Sequence, residues 1–329
     1  MIFEPLSDHR CKLGESPFWW RERDELLFVD VHGGAICSWT AAQGTRSRRV
    51  GERITFIMPT ANGGIVLGLR HGLAALAGFD APVDGDLAPT IPVEADRPTT
   101  SINDARCDAQ GRLFFGTLER ANRDPVCFIY RWTRETGVEP RVPGVAISNG
   151  MQWSPDGAVM YFVDSHTQRL DAFDYDSARG ELGRRRTVAT IAPELGMPDG
   201  INVDAEGMIY VALYGGGAIH RYRPDGVLDR VIEIPVRYPT SLCFGGGVLE
   251  RRRPAHDVCH HLVGRLPWRR RRRGRAGRPV RSRRQGARRG VGRSRPSVPA
   301  HSSSRDRLSE SPLMSAARLA TSSPSSPLT

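Results

Sequence analysis

The chain has 329 residues, 39% hydrophobic and 25% charged, with a formal net charge of +11, a composition ordinary for a globular protein. No stretch approaches the roughly 18 uninterrupted apolar residues of a membrane span, and the start MIFEPLSDHRCKLGESPF has no basic region leading into an apolar one. A soluble, cytoplasmic protein without a membrane partner is expected, and six scattered cysteines with no C-x-x-C pair read as reduced thiols, mostly filling the core.

In chain order, short apolar runs bounded by turn signals read as strands: ELLFVDV, GGIVLGL, GRLFFGTL, FIYRWT, AVMYFVDS, LDAFDYD, MIYVALYG and AIHRYRPDG. Long helical periodicity is absent. A turn glycine followed by an apolar strand recurs at Gly64, Gly111, Gly157 and Gly207, 46 to 50 residues apart, the length of one propeller blade. Each unit reads as a four-stranded meander. The expectation is an all-β, six-bladed β-propeller over residues 1–246, its last blade incomplete and its ring unclosed. A sandwich would supply as many strands but would not require the same turn at equal spacing.

The same glycines locate candidate chemistry. Asn103, Asn149 and Asp199 each lie eight positions before a turn glycine, and Glu15 lies eight before Arg23 in the first unit. Innermost strands of a propeller all run the same way, so equivalent positions converge at one mouth of the channel. Carboxylate and amide oxygens suit a hard divalent cation such as calcium, magnesium or manganese, and zinc less characteristically. Pro155-Asp156-Gly157 and Pro224-Asp225-Gly226 read as ordinary hairpin turns, whereas Asp199 precedes an inner strand. His32 and His166, in VDVHG and VDSHT, read as loop anchors. No G-x-S-x-G elbow, P-loop or dinucleotide fingerprint is present.

From Gly247 the pattern stops and the text turns to runs such as WRRRRRGRAGRPVRSRRQGARRG and TSSPSSPLT. Residues 1–246 carry about −6 and the remainder about +17, so any nucleic-acid partner would act only through this basic tail. A single lysine among many arginines, and a break inside a well-patterned segment, fit a shifted reading frame of a GC-rich gene. Residues 247–329 are expected to be a low-complexity, disordered tail, in which His256, Asp257, Cys259, His260 and His261 are a coincidental cluster of ligand-type residues.

Through LGESPFW, INDARCDAQGRLFFGTL, ISNGMQWSPDGAVMYFVDS and MPDGINVDAEGMIYVALYGGG, residues 9–246 resemble the senescence marker protein (regucalcin) and gluconolactonase family. VAISNG and GGGAIHRYRPDG look most like its bacterial arabinono- and galactonolactonase branch. The resemblance implies a metal-dependent sugar lactonase of carbohydrate catabolism, with one divalent ion, calcium foremost and zinc, magnesium, manganese or iron as alternatives, on Glu15, Asn149 and Asp199. It also implies that Asn103 and Asp104 contact a small sugar-lactone substrate. Asp199 is then the candidate general base. Many relatives carry arginine where this chain has Ser101, which alters that contact to the sugar. A non-catalytic calcium- or sugar-binding propeller is the alternative.

Overall fold

Runs such as ELLFVD are apolar at consecutive positions instead of alternating, which calls for a sheet covered on both faces. The computed structural model supplies that cover, and every residue of the strand Glu25–Asp30 is buried. The structure describes residues 3, 5–51, 53–121 and 123–245, and the backbone of His261–Arg265, all within the unit spanning residues 1–270.

Five four-stranded antiparallel sheets follow one another, over residues 14–49, 54–92, 100–145, 148–190 and 197–233. A sixth sheet pairs Tyr238–Cys243 with His261–Arg265. Within each sheet the strands lie in chain order, as a meander requires. Among the described residues the helices are three-residue 3-10 turns, and none is long and apolar enough to cross a membrane.

The first strand of each sheet touches the first strand of the next, and Tyr238–Cys243 returns to Gly14–Trp20. Thr240 Oγ1 donates 2.7 Å to the Gly14 carbonyl across that junction. The expected all-β propeller is therefore present, but its innermost ring closes where the sequence had led us to expect a gap. Apolar clusters fill the junctions. Leu27, Val29 and Ile36 meet Ile57, Ile65 and Leu67 between the first two sheets, and Leu26, Phe28 and Cys37 meet Cys243 where the last meets the first. Burial of this kind is worth roughly 1.5–3 kcal/mol per large side chain.

The turn glycines do what their spacing implied: Gly111, Gly157 and Gly207 adopt φ of 80°, 69° and 82°, the left-handed region that only glycine enters freely. In the second sheet the turn Thr60–Gly64 has the same length as Asp108–Arg112, and Gly63 (φ 85°), not Gly64, takes that conformation. Residues 246–260 and 266–329, which hold most of the basic tail and its histidine–cysteine cluster, lie outside the described residues.

Candidate metal centre

Each innermost strand is irregular at the same place. Register shifts against the neighbouring strand fall between Glu15 and Phe18, Ile54 and Phe56, Ile102 and Ala105, Ser148 and Met151, Pro198 and Ile201, and Pro239 and Ser241. A bulge of this kind inserts an extra residue, interrupts the alternation of faces and re-aims a side chain. The positions so treated include Asn103, Asp104, Asn149 and Asp199, with Glu15 at the edge of its bulge. They also include Thr55 and Thr240, which the offset from Gly64 and the missing sixth turn had hidden.

Backbone anchors fix two of the ring residues. Asp164 accepts hydrogen bonds from the amides of Ala146 (3.1 Å) and Ile147 (3.0 Å), just ahead of Asn149. Asp30 does the same for Lys12 and Leu13, both at 3.0 Å, just ahead of Glu15. The anchoring expected of the repeated Asp-x-His segments belongs to the aspartates, while His32 and His166 are exposed.

Asn149 Nδ2 donates to Ser165 Oγ (2.7 Å), which fixes the amide, and its Oδ1 accepts from Asn103 Nδ2 (2.8 Å). Asn103 Nδ2 also donates to the Ser148 carbonyl (2.8 Å). Both of its amide hydrogens are thereby committed, so Asn103 can meet a substrate only through the acceptor Oδ1. Close packing of neighbouring sheets depends on Gly150, where a Cβ would lie 2.7 Å from Ile201 N and 2.8 Å from the Asp199 carbonyl oxygen. Ser101 is buried, its hydroxyl donating to the Ile102 carbonyl (2.9 Å).

The electrostatics show which groups converge. Burial drives the Glu15 carboxyl well above its ordinary range, and the charges of Asp199 and Asp104 push it further, against the Ser16 amide and Arg53. Asp199 is likewise held well above its usual value by burial and then by Asp104, opposed by the Gly200 amide. Asp104 rises through burial, against Arg106 and the Ala105 amide. The charges of Asp199 and Asp104 thus reach Glu15, and that of Asp104 reaches Asp199, while the buried Asp199 Oδ1 has no hydrogen-bond partner among the described residues.

Crowded, desolvated carboxylates with an orphaned oxygen are unfavourable alone and are what a hard cation would satisfy. These residues fit a divalent ion.

A second group of ligand-type atoms lies apart from the ring. His9, Cys11 and Cys37 bring their nitrogen and sulfur atoms within 4.8 Å of one another beside the junction of the first and sixth sheets. The reading of the cysteines as core fillers suits Cys37, Cys127 and Cys243, which are buried, better than Cys11, which is partly exposed.

The model of the SMP-30/gluconolactonase/LRE-like region matches residues 13–251. Regucalcin of Gallus gallus is 34% identical over 251 residues, covering 74% of this chain and 82% of the relative. Among solved structures, a luciferin-regenerating enzyme is 29% identical with a TM-score of 0.66, covering 72% of this chain and 81% of that one. A calcium-binding regucalcin from Agrobacterium tumefaciens is 25% identical with a TM-score of 0.67, covering 74% and 81%.

Proposed function

Because the chain belongs to the SMP-30/gluconolactonase/LRE-like family, we propose that it hydrolyses a sugar aldonolactone to the aldonic acid. In this reading the fold is a six-bladed propeller and Glu15, Asn149 and Asp199 hold one divalent cation. The observation that carries the reading is the orphaned, buried Asp199 Oδ1, on which the charge of Asp104 acts and whose own charge acts on Glu15. Calcium is the first candidate, since the related Agrobacterium protein is described as calcium-binding.

When bound, the ion supplies Lewis-acid polarisation of the lactone carbonyl and a lowered pKa for water. The rest falls to the chain's own groups. Asp199 takes a proton from the attacking water as the water oxygen bonds to the acyl carbon. It then delivers that proton to the ring oxygen as the acyl C–O bond breaks. Asp104 and Asn103 Oδ1 accept hydrogen bonds from sugar hydroxyls, which favours an aldonolactone over an apolar ester. Glu15 serves as ligand. The carboxylic acid product ionises, so turnover is read as proton release.

The test is Asp199→Asn. A fall in kcat of about 10²-fold or more, with the melting temperature retained, is the expected result, and a full rate in the variant would overturn the assignment. Metal uptake by the wild-type chain with no hydrolysis of any aldonolactone would favour a binding-only propeller.

A further inference from the structure

We propose that Arg53, Arg70 and Arg120 form an anion subsite at the mouth of the ring, so that the lactone carries a carboxylate or phosphate group distant from its reacting carbonyl. The inference rests on the lactonase reading for the word lactone, but not for the subsite itself.

Topology places the three arginines together. Arg53 stands two residues before the ring position Thr55, at the start of the second innermost strand. Arg70 follows the end of the adjacent strand Ile65–Leu69, and its carbonyl accepts from the Ile102 amide at 2.9 Å. Arg120 follows Leu113–Glu119 and donates its amide to the Thr99 carbonyl, also at 2.9 Å. Arg70 and Arg120 therefore flank the segment that leads into Asn103. All three lie at the end of the sheets where the inner strands begin and where Glu15, Asn103, Asn149 and Asp199 are found.

Among the described residues no carboxylate lies within ion-pair distance of any of the three; the neighbouring Glu94 gives Oε1 to Arg97 (3.1 Å), Thr117 and Tyr130, while its buried Oε2 makes no hydrogen bond. Three buried nitrogens in this corner, Arg53 Nε, Arg70 Nε and His71 Nδ1, make no hydrogen bond. Arg70 reaches only the Pro98 carbonyl, at a long 3.5 Å. Burial, then the charges of Arg120 and Arg70, pull the Arg53 guanidinium below its ordinary range, with Glu15 as a weaker counterweight.

Arg53 and Arg70 are half-buried and Arg120 is exposed; half-buried cations that repel one another and hold buried, vacant donors are costly to keep. With a divalent ion neutralising the carboxylates of the ring, Glu15 would no longer offset the Arg53 charge. A planar guanidinium offers donors matched to the paired oxygens of a carboxylate or phosphate, and an anion seated there would satisfy several of them at once.

Binding is measured by calorimetry on the full chain in the presence of chelator, with sorbitol 6-phosphate against sorbitol as probes. The phosphate should bind about tenfold more tightly or better, the weight of one charge-assisted hydrogen bond. Arg70→Gln and Arg120→Gln should each remove most of that advantage without lowering the melting temperature, since each deletes a repelled charge. Equal affinity for the two probes, or an advantage untouched by both variants, overturns the subsite.

Kinetics then identify the source of the charge. The ratio of kcat/KM for 6-phosphogluconolactone or for glucaro-1,4-lactone over neutral glucono-1,5-lactone should exceed one for the anion the site prefers, and fall in the variants. Phosphate binding without hydrolysis of any lactone would sink the lactonase reading and leave the anion subsite standing. Hydrolysis of the neutral lactone at the best rate would sink the subsite alone.

Discussion

At the residue scale, the orientation of Asn149 depends on a hydroxyl that never faces the ring. Ser165 Oγ accepts from Asn149 Nδ2 at 2.7 Å, so Ser165→Ala frees the amide to rotate and should weaken the affinity for calcium by about tenfold, as read by metal titration of the purified chain. An unchanged affinity would remove Ser165 from the support of the site. His220 gives a pH signature independent of the metal. Burial lowers its pKa below the usual imidazole value, and Nδ1 lies 3.0 Å from the Tyr222 hydroxyl. The unfolded chain therefore binds the proton before the folded one does, and stability falls as pH drops below the ordinary histidine value of about 6.5. The slope of the melting temperature between neutral pH and pH 5 should flatten in His220→Gln.

At the element scale, the entries to two innermost strands are held by a carboxylate on the strand beside each, Asp30 and Asp164. Asp164→Ala strips charged acceptors from the buried amides of Ala146 and Ile147 and should cost about 3 kcal/mol in urea unfolding. Asp156→Ala, in an exposed hairpin turn, should cost well under about 1 kcal/mol. Much of this element-level order was legible in the sequence, because a left-handed turn needs glycine and the turns recur with the blades. The eight-residue offset from Gly111, Gly157 and Gly207 reached Asn103, Asn149 and Asp199, all of which lie at bulges. Thr55 escaped because two glycines adjoin in its turn and the offset runs from Gly63, not Gly64, and because its side chain carries no charge. The arginine corner escaped for a different reason: Arg53, Arg70 and Arg120 share no period and meet only because two sheets pack side by side.

At the scale of the whole molecule, six innermost strands close a ring although the sixth sheet shows two strands among the described residues. The match to the family ends at residue 251, within a few residues of Gly247, where the alternating pattern of the sequence gives way to arginine-rich text. Closure through Thr240 and Gly14 leaves only the strand Tyr238–Cys243 between the strands that carry Glu15 and Asp199, the arrangement on which the proposed reaction relies. The most direct test is proton release from an aldonolactone by the full chain, first stripped with chelator and then resupplied with calcium or another divalent ion. The account predicts a rate that vanishes with the metal, returns with it and is lost in Asp199→Asn. Hydrolysis indifferent to chelation, or metal binding without proton release from any aldonolactone, would contradict it.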